Sequence, residues 1–424
     1  MNALRPLADR FEAALPKNTG LDGLIVPTVV TDAPFKSLLK EFRADTIHGN
    51  YENCAIWTGS LGAALALKYA TLNQPADRSR AWGVVQSMLR LEEVTGEPGL
   101  IARGYKKGDS ATFDEALFWK KSDRTRRGNE WHQNEGDIRW LGDPSKSQVF
   151  GFTLASFAFS HFCDPSEQER KALSSSFCRI VDRIWRHEGR LIDFDRKATG
   201  YGEYNPKVYL GFGGIGPSLW LVNVKLAATL SGDDKYQREY DRLIDSGYLE
   251  HVERCRINPP VLRKISTAFG SEDNLAFLNC WILSKLDQSE RVQNSCRIAV
   301  EKRWKVVGDE FNSLFNFVYH EVSGEQPGET LCLASDGLLR FPENKTVPCI
   351  ALKRSMEGAT LRDRTANILR GRLQVENRPV DEYAWRVNSR RRDQWVGQDG
   401  EMRFTGIDYM LAYWFGRYHE LLTH

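Results

Sequence analysis

Two kinds of helical run alternate along this chain. In the first kind, as in Leu61-Gly62-Ala63-Ala64-Leu65-Ala66-Leu67-Lys68-Tyr69-Ala70 and in residues 219–230, apolar side chains fall on nearly every side. A helix that is apolar all round needs burial all round. In the second kind a single apolar stripe runs between charges. Phe177, Ile180, Val181, Ile184 and Trp185 recur at helical spacing, with Arg179, Asp182 and Arg183 between them. The two kinds occur in pairs, and the pattern predicts helices over 55–72 and 78–95, 149–162 and 167–187, 218–230 and 235–247, and 274–285 and 290–307. Short turns rich in helix-ending and helix-capping residues join each pair: Asn73-Gln74-Pro75-Ala76-Asp77, Cys163-Asp164-Pro165-Ser166, Ser231-Gly232-Asp233-Asp234 and Asp287-Gln288-Ser289. Weaker pairs are expected at 2–42 and 312–340, with a closing helix at 405–422 and strand-like stretches at 347–353 and 382–387.

This contrast predicts an inner ring of helices inside an outer ring, about six pairs in all. Paired helices either stack as a solenoid or close on themselves, and the unequal loops argue for closure. If the short turns share one end, the long loops 96–148, 188–217, 248–272, 308–330 and 341–403 surround the other. Long loops in a compact domain are usually functional, so a single pocket is expected there. The expected fold is all-α, a toroid of paired helices with long loops and a few short strands on one face. It is one domain over 1–424, divided into an N-terminal helical segment (1–50), clear helix pairs (51–340), a loop and strand insertion (341–405) and the closing helix (406–424).

Composition narrows the function. The 424 residues are 41% hydrophobic and 11% aromatic, enough for a real core and against disorder. Lys and Arg number 58 against 56 Asp and Glu, a net charge of +2, which does not suit a dedicated nucleic-acid binder. No apolar run reaches the length of a membrane helix, and the first 20 residues carry charges throughout, with no apolar signal core. The eight cysteines form no C-x-x-C pair and sit mostly among apolar residues, as buried thiols do in the cytoplasm.

The succession of apolar and amphipathic helices from Tyr51 to Leu422 resembles the (α/α)6 toroids, the six-hairpin glycosidase-like group. That resemblance implies a sugar pocket at the long-loop end and an enzyme among the glycoside hydrolases, polysaccharide lyases or sugar epimerases. Terpene cyclases and lanthionine-forming enzymes use related barrels. Asp193-Phe194-Asp195-Arg196 and Asp233-Asp234-Lys235-Tyr236-Gln237 complete neither acidic motif of a cyclase, and no close Cys/His pair suggests the zinc site of the lanthionine enzymes.

Three stretches carry candidate chemistry. Residues 131–148 mix aromatic, acidic, amide and hydroxyl groups just before an inner helix, as a sugar site requires: flat rings for apolar sugar faces, polar groups for hydroxyls. Ser145 or Ser147 can instead cap that helix. In the second stretch Glu203 is flanked by Tyr201 and Tyr204, which can desolvate a general acid, while Asp193 and Asp195 are a weak metal-chelating pair. The third holds Trp385, Asn388 and an arginine run, followed by Asp408, Tyr409, Tyr413 and Trp414. The arginines can bind a carboxylate, the aromatic face reads as core, and Asp408 can be a helix-end residue. A glycosidase needs two carboxyl groups across the scissile bond, and the candidates are Asp137, Asp143, Glu203 and Asp408. Substrate-binding candidates are Tyr51, Trp57, Trp131, His132, Arg139, Trp140, Gln148, Tyr201, Trp385, Asn388, Arg390 and Arg392. A lyase would use His132 or Tyr201 as base, with Arg390 or Arg392 on a uronate.

Two literal motifs carry little. Gly211-Phe212-Gly213-Gly214-Ile215-Gly216 fits G-x-G-x-x-G without a surrounding βαβ pattern. His419-Glu420-Leu421-Leu422-Thr423-His424 has one residue too many for a zinc protease helix. The expectation is therefore a cytoplasmic carbohydrate-active enzyme that hydrolyses a glycosidic bond. Its partner is a small-molecule or oligosaccharide substrate, with no cofactor, metal, nucleic acid or membrane. A sugar-acid lyase or epimerase is the nearer alternative. A cyclase or transferase acting on a prenyl or other apolar substrate is the alternative of another class.

Overall fold

The computed structural model describes residues 4–30, 47–49, 51–108, 131–134, 136–209, 215–254, 269–310, 312–325, 328–347, 374–378 and 402–422. The helices among them are α1 (Leu4–Ala14), α2 (Cys54–Leu72), α3 (Pro75–Glu93), α4 (Lys146–Phe162), α5 (Glu167–Arg186), α6 (Gly216–Ser231), α7 (Asp234–Asp245), α8 (Tyr248–Arg254), α9 (Phe269–Leu286), α10 (Glu290–Val307), α11 (Ser313–Ser323), α12 (Glu329–Leu339) and α13 (Ile407–Tyr418). The strands are short: β1 (Thr28–Val30), β2 (Ile47–His48), β3 (Tyr105–Lys107), β4 (Trp131–Gln133), β5 (Ile138–Leu141), β6 (Arg190–Ile192), β7 (Ala198–Glu203), β8 (Thr346–Val347) and β9 (Met402–Phe404). The fold is helical, as expected.

Local chemistry sets the turns. Asn73 ends α2 in the left-handed region and Pro75 opens α3, a place where its missing N–H costs nothing. Ser166 and Glu169 close a reciprocal cap on α5, and the Asp233 side chain accepts the Lys235 N–H at 2.8 Å to cap α7. The four clear pairs and the pair expected at 312–340 therefore appear within a few residues of their expected ends.

The all-round apolar helices pack on one another. α2 lies against α4, α4 against α6, α6 against α9, α9 against α11, α11 against α13, and α13 against α2, so the contacts return to their start. Each of the six also packs on a helix outside this succession, respectively α3, α5, α7, α10, α12 and α1. Neighbours meet at equal depth: Gly59 with Gly151, and the Thr153 hydroxyl with the Asn223 side-chain oxygen at 2.8 Å. Gly62 of α2 likewise meets Ala155 of α4, so α2 and α4 run parallel, and their N-termini share the end where the sheet β3-β5-β4 and the hairpin β6–β7 lie. Towards the short turns, Trp281 of α9 spans the interior. Its ring centroid is 5.2 Å from Phe157 of α4, 6.0 Å from Phe162 and 5.0 Å from Phe415 of α13.

The N-terminal segment departs from its expected form. Residues 2–42 do not make a helix pair over their described part: α1 is followed by two 3-10 turns (Leu15–Asn18 and Leu21–Gly23) and β1. The partner of α1 is α13, at the other end of the chain. β1 reinforces this, pairing antiparallel with β9 (Thr28 opposite Phe404, Val30 opposite Met402) within a sheet ordered β2-β1-β9-β8. The stretch at 347–353 is represented by Val347 at the end of β8, and residues 382–387 lie outside the described residues.

The α2–α4 contact is made at the backbone. A methyl carbon at Gly59 would collide with the Gly151 carbonyl, and one at Gly151 with the Ala55 carbonyl. Neither helix can recede without opening its other contacts. Gly83 on α3, by contrast, faces open space. Gly59→Ala is expected to lower unfolding stability by about 1–3 kcal/mol through overpacking. Gly83→Ala is expected to leave it unchanged or raise it by up to about 1 kcal/mol. Urea titration of the two variants checks both.

Candidate functional site

The parallel packing of α2 and α4 sets their first turns side by side. Gln148, fully buried, joins them: its side-chain nitrogen donates to the Glu52 carbonyl at 3.0 Å, while its oxygen accepts the Ser145 N–H at 2.7 Å and caps α4. Over this end lie the antiparallel sheet β3-β5-β4 and the hairpin β6–β7.

Asp143 stands at the junction, between β5 and α4. Its φ is +54°, in the left-handed region that Asp tolerates better than most residues. Three groups hold it there. Its Oδ1 accepts the Gly200 N–H at 3.0 Å, its own N–H donates to the Asp193 carboxylate at 2.7 Å, and Arg103 Nε donates to its carbonyl at 2.6 Å. The Arg103 guanidinium also lies 3.7 Å from its Oδ2, and all three side chains are buried.

Asp193 is the second buried carboxylate. It also accepts the Phe194 N–H at 2.9 Å. Burial pushes its carboxyl above the ordinary range, and the two N–H donors and the nearby His132 only partly offset this. His132 is wedged between Trp140 and Phe194, at ring distances of 4.5 and 3.9 Å. Phe194 and Tyr201 are 38% and 56% exposed; with Leu339 they are the large hydrophobic side chains most open to solvent among the described residues. Lys146, on the first turn of α4, donates to the Tyr201 carbonyl at 2.8 Å, and burial lowers its pKa.

Several expected residues thus share one neighbourhood: Asp143, His132, Trp140, Gln148 and Tyr201. Tyr51 and Trp131 adjoin it, edge to face at 5.5 Å, with the Lys106 ammonium 4.5 Å above the Trp131 ring. Trp57 is buried in the first turn of α2. Glu203, at the end of β7, is bound by Arg190 at 3.2 Å and by the Asn205 N–H at 2.8 Å.

Others stand apart. Asp137 and Arg139 are exposed, Asp137 in the β4–β5 turn and Arg139 on β5. Asp408 is fully buried at the start of α13, where its two oxygens meet the Lys345 ammonium at 2.9 and 3.0 Å. Tyr409, Tyr413 and Trp414 are core residues. Trp385, Asn388, Arg390 and Arg392 lie outside the described residues. Asp193 and Asp195 do not act as a chelating pair, because Asp195 turns out to Lys197 at 3.0 Å. Among the described residues no group of three or more His, Cys, Asp or Glu is placed to hold a metal.

Known families, curated proteins and solved structures offer no match to this chain. Function must therefore be argued from the site itself.

Sequence reading undervalued Asp193, Phe194 and Arg103. The first two were visible only as part of an acidic stretch, and Arg103 stands in a segment with no motif. What distinguishes them is burial, or exposure, created by the fold. The arrangement offers a buried carboxyl group whose pKa burial raises, a second carboxylate facing a guanidinium, an imidazole, and open aromatic faces. Arg103→Ala is expected to lower stability by roughly 3 kcal/mol, since it leaves Asp143 buried beside no cation. Arg103→Lys should recover only part of this, because one ammonium does not reproduce the forked contact. Chemical denaturation of both variants is the check.

Proposed function

We propose that the closed succession of helix contacts is an (α/α)6-type toroid, and that the protein is a carbohydrate-active enzyme hydrolysing a glycosidic bond at the long-loop end. The observation that carries this reading is the joining of two buried carboxylates, Asp193 and Asp143, to the exposed aromatic faces of Phe194 and Tyr201 on one hairpin. Sugars stack their apolar faces on such rings and take hydrogen bonds from the polar groups beside them. Asp193, whose carboxyl burial pushes above the ordinary range, is the general acid in this account. Asp143, which faces a guanidinium, is the carboxylate that activates water or meets positive charge at the anomeric carbon.

No helix among the described residues is long and apolar enough to cross a membrane. The free thiols of Cys54, Cys163, Cys178, Cys280, Cys296 and Cys332 support a reducing, cytoplasmic setting. A sugar-acid lyase is the second reading, favoured by the position of His132 near Asp193 and of the Lys146 amine at the same end.

The test is release of reducing ends, or of unsaturated products, from a panel of neutral and uronate oligosaccharides. Asp193→Asn is expected to lower turnover by about 100-fold or more, and Asp137→Asn to leave it unchanged. The acid must be protonated to act. Its folded pKa lies above the usual 3.8, so kcat/KM should fall as pH rises through that raised value. Asp193→Asn should remove this limb. Full turnover in Asp193→Asn would sink its role, and unsaturated products would replace hydrolysis by elimination.

A further inference from the structure

A second cleft lies where the β6–β7 hairpin runs down to α6, and it has a volume of about 550 Å³. That is within the usual range for a small-molecule site. Four aromatic residues line it, Trp185 at the end of α5, Tyr204 after β7, Trp220 on α6 and Tyr248 at the start of α8, beside Asn205, Ser246 and four charged residues; Tyr204 and Trp220 are themselves buried. The Tyr204 and Trp220 rings are 6.1 Å apart and inclined at 55°, while Trp185 and Tyr248 are only half-buried. The charged groups at the cleft balance. Glu188 and Glu239 face Lys207 and Arg242, and Arg242 is already bound to Glu239 by two hydrogen bonds of 2.7 Å. A cleft that sets two half-exposed aromatic faces among polar groups, with its charges balanced, suits neither an anion nor a cation. It suits a neutral, polyhydroxylated molecule.

The cleft also adjoins the candidate site along the chain. Tyr201 and Glu203 belong to β7, and Tyr204 follows directly, so the chain covers the distance from one site to the other in three residues, about 10 Å. We infer that this cleft is a second sugar-holding site, which binds a neutral oligosaccharide beyond the carboxylates. The inference rests on the carbohydrate reading above and refines it: the substrate is an oligomer or polymer of uncharged sugars.

Maltohexaose, cellohexaose and chitohexaose, each with its disaccharide, would be titrated against the whole protein by calorimetry and tryptophan fluorescence. One hexaose should bind. Trp185→Ala and Tyr248→Ala should each weaken it about tenfold or more through loss of a stacking face, with binding of the corresponding disaccharide unchanged. Tyr248 is the safer probe if Trp185→Ala lowers the melting temperature, since Trp185 also packs near Tyr236 at 6.3 Å. Undiminished hexaose binding in a folded Tyr248→Ala variant overturns the second site and leaves the carbohydrate reading standing. If neither these sugars nor a hexauronate titrated beside them binds the wild-type protein, the carbohydrate reading itself falls and takes the cleft with it. Binding only of a charged hexauronate overturns the neutral class assigned here.

Discussion

A helix that is apolar on every side must be covered on every side, and this constraint organises the whole molecule. A row of such helices would leave its two end members bare. Here the contacts pass from α2 through α4, α6, α9 and α11 to α13 and back to α2, so no member is left at an edge. The chain ends are used to complete the outer layer. α1 covers α13, and β1 pairs with β9, which ties the first described residues to the last. Burial drives this arrangement, at roughly 25 cal/mol per Å² of apolar surface. Backbone-level contacts such as Gly59 on Gly151 fix how closely the helices approach.

The same constraint makes the site. Parallel inner helices bring their first turns to one end, where unpaired N–H groups and positive helix ends favour acceptors and carboxylates. Gln148 answers that need at α4 by accepting the Ser145 N–H while it donates to the Glu52 carbonyl; Asp193 accepts the Asp143 N–H just ahead of the helix, and Arg103 joins the two sets by donating to the Asp143 and Glu52 carbonyls. At the opposite end the outer helices carry their own caps, Ser166 and Asp233, and the interior is closed by apolar contact around Trp281. Polar chemistry and apolar closure therefore separate along the axis of the bundle. The exposed aromatics of the β6–β7 hairpin stand at the polar end because that hairpin bridges α5 and α6 on the long-loop side.

Much of the helical layout could be read in the sequence, because each helix carries its own signal. The all-round apolar run 61–70 and the stripe through Phe177 and Ile184 need no tertiary information, and the capping residues Ser166 and Asp233 mark their own boundaries. The N-terminal segment could not be read this way. The apolar face of α1 looks like that of any paired helix, and only the fold reveals that its partner is hundreds of residues away. The site was legible in its location more than in its chemistry. The stretch 131–148 supplied Asp143, Trp140 and Gln148, but Gln148 is a helix cap joining α2 to α4, and Asp408 lies buried beneath Lys345. Carboxylates look alike in a sequence. The difference between exposed Asp137 and buried Asp193 arises from packing across long loops, which local pattern does not encode.

Closure of the helix contacts is the central claim, and native-state hydrogen exchange with peptide-level readout tests it most directly. If the contacts close, the amides of α13 exchange only through the same global opening as those of α2 and α4, with equal free energies of opening. An open array would fray from its ends. Exchange of α1 and α13 orders of magnitude faster than that of α2 and α4, under conditions where the rest stays protected, would contradict the account.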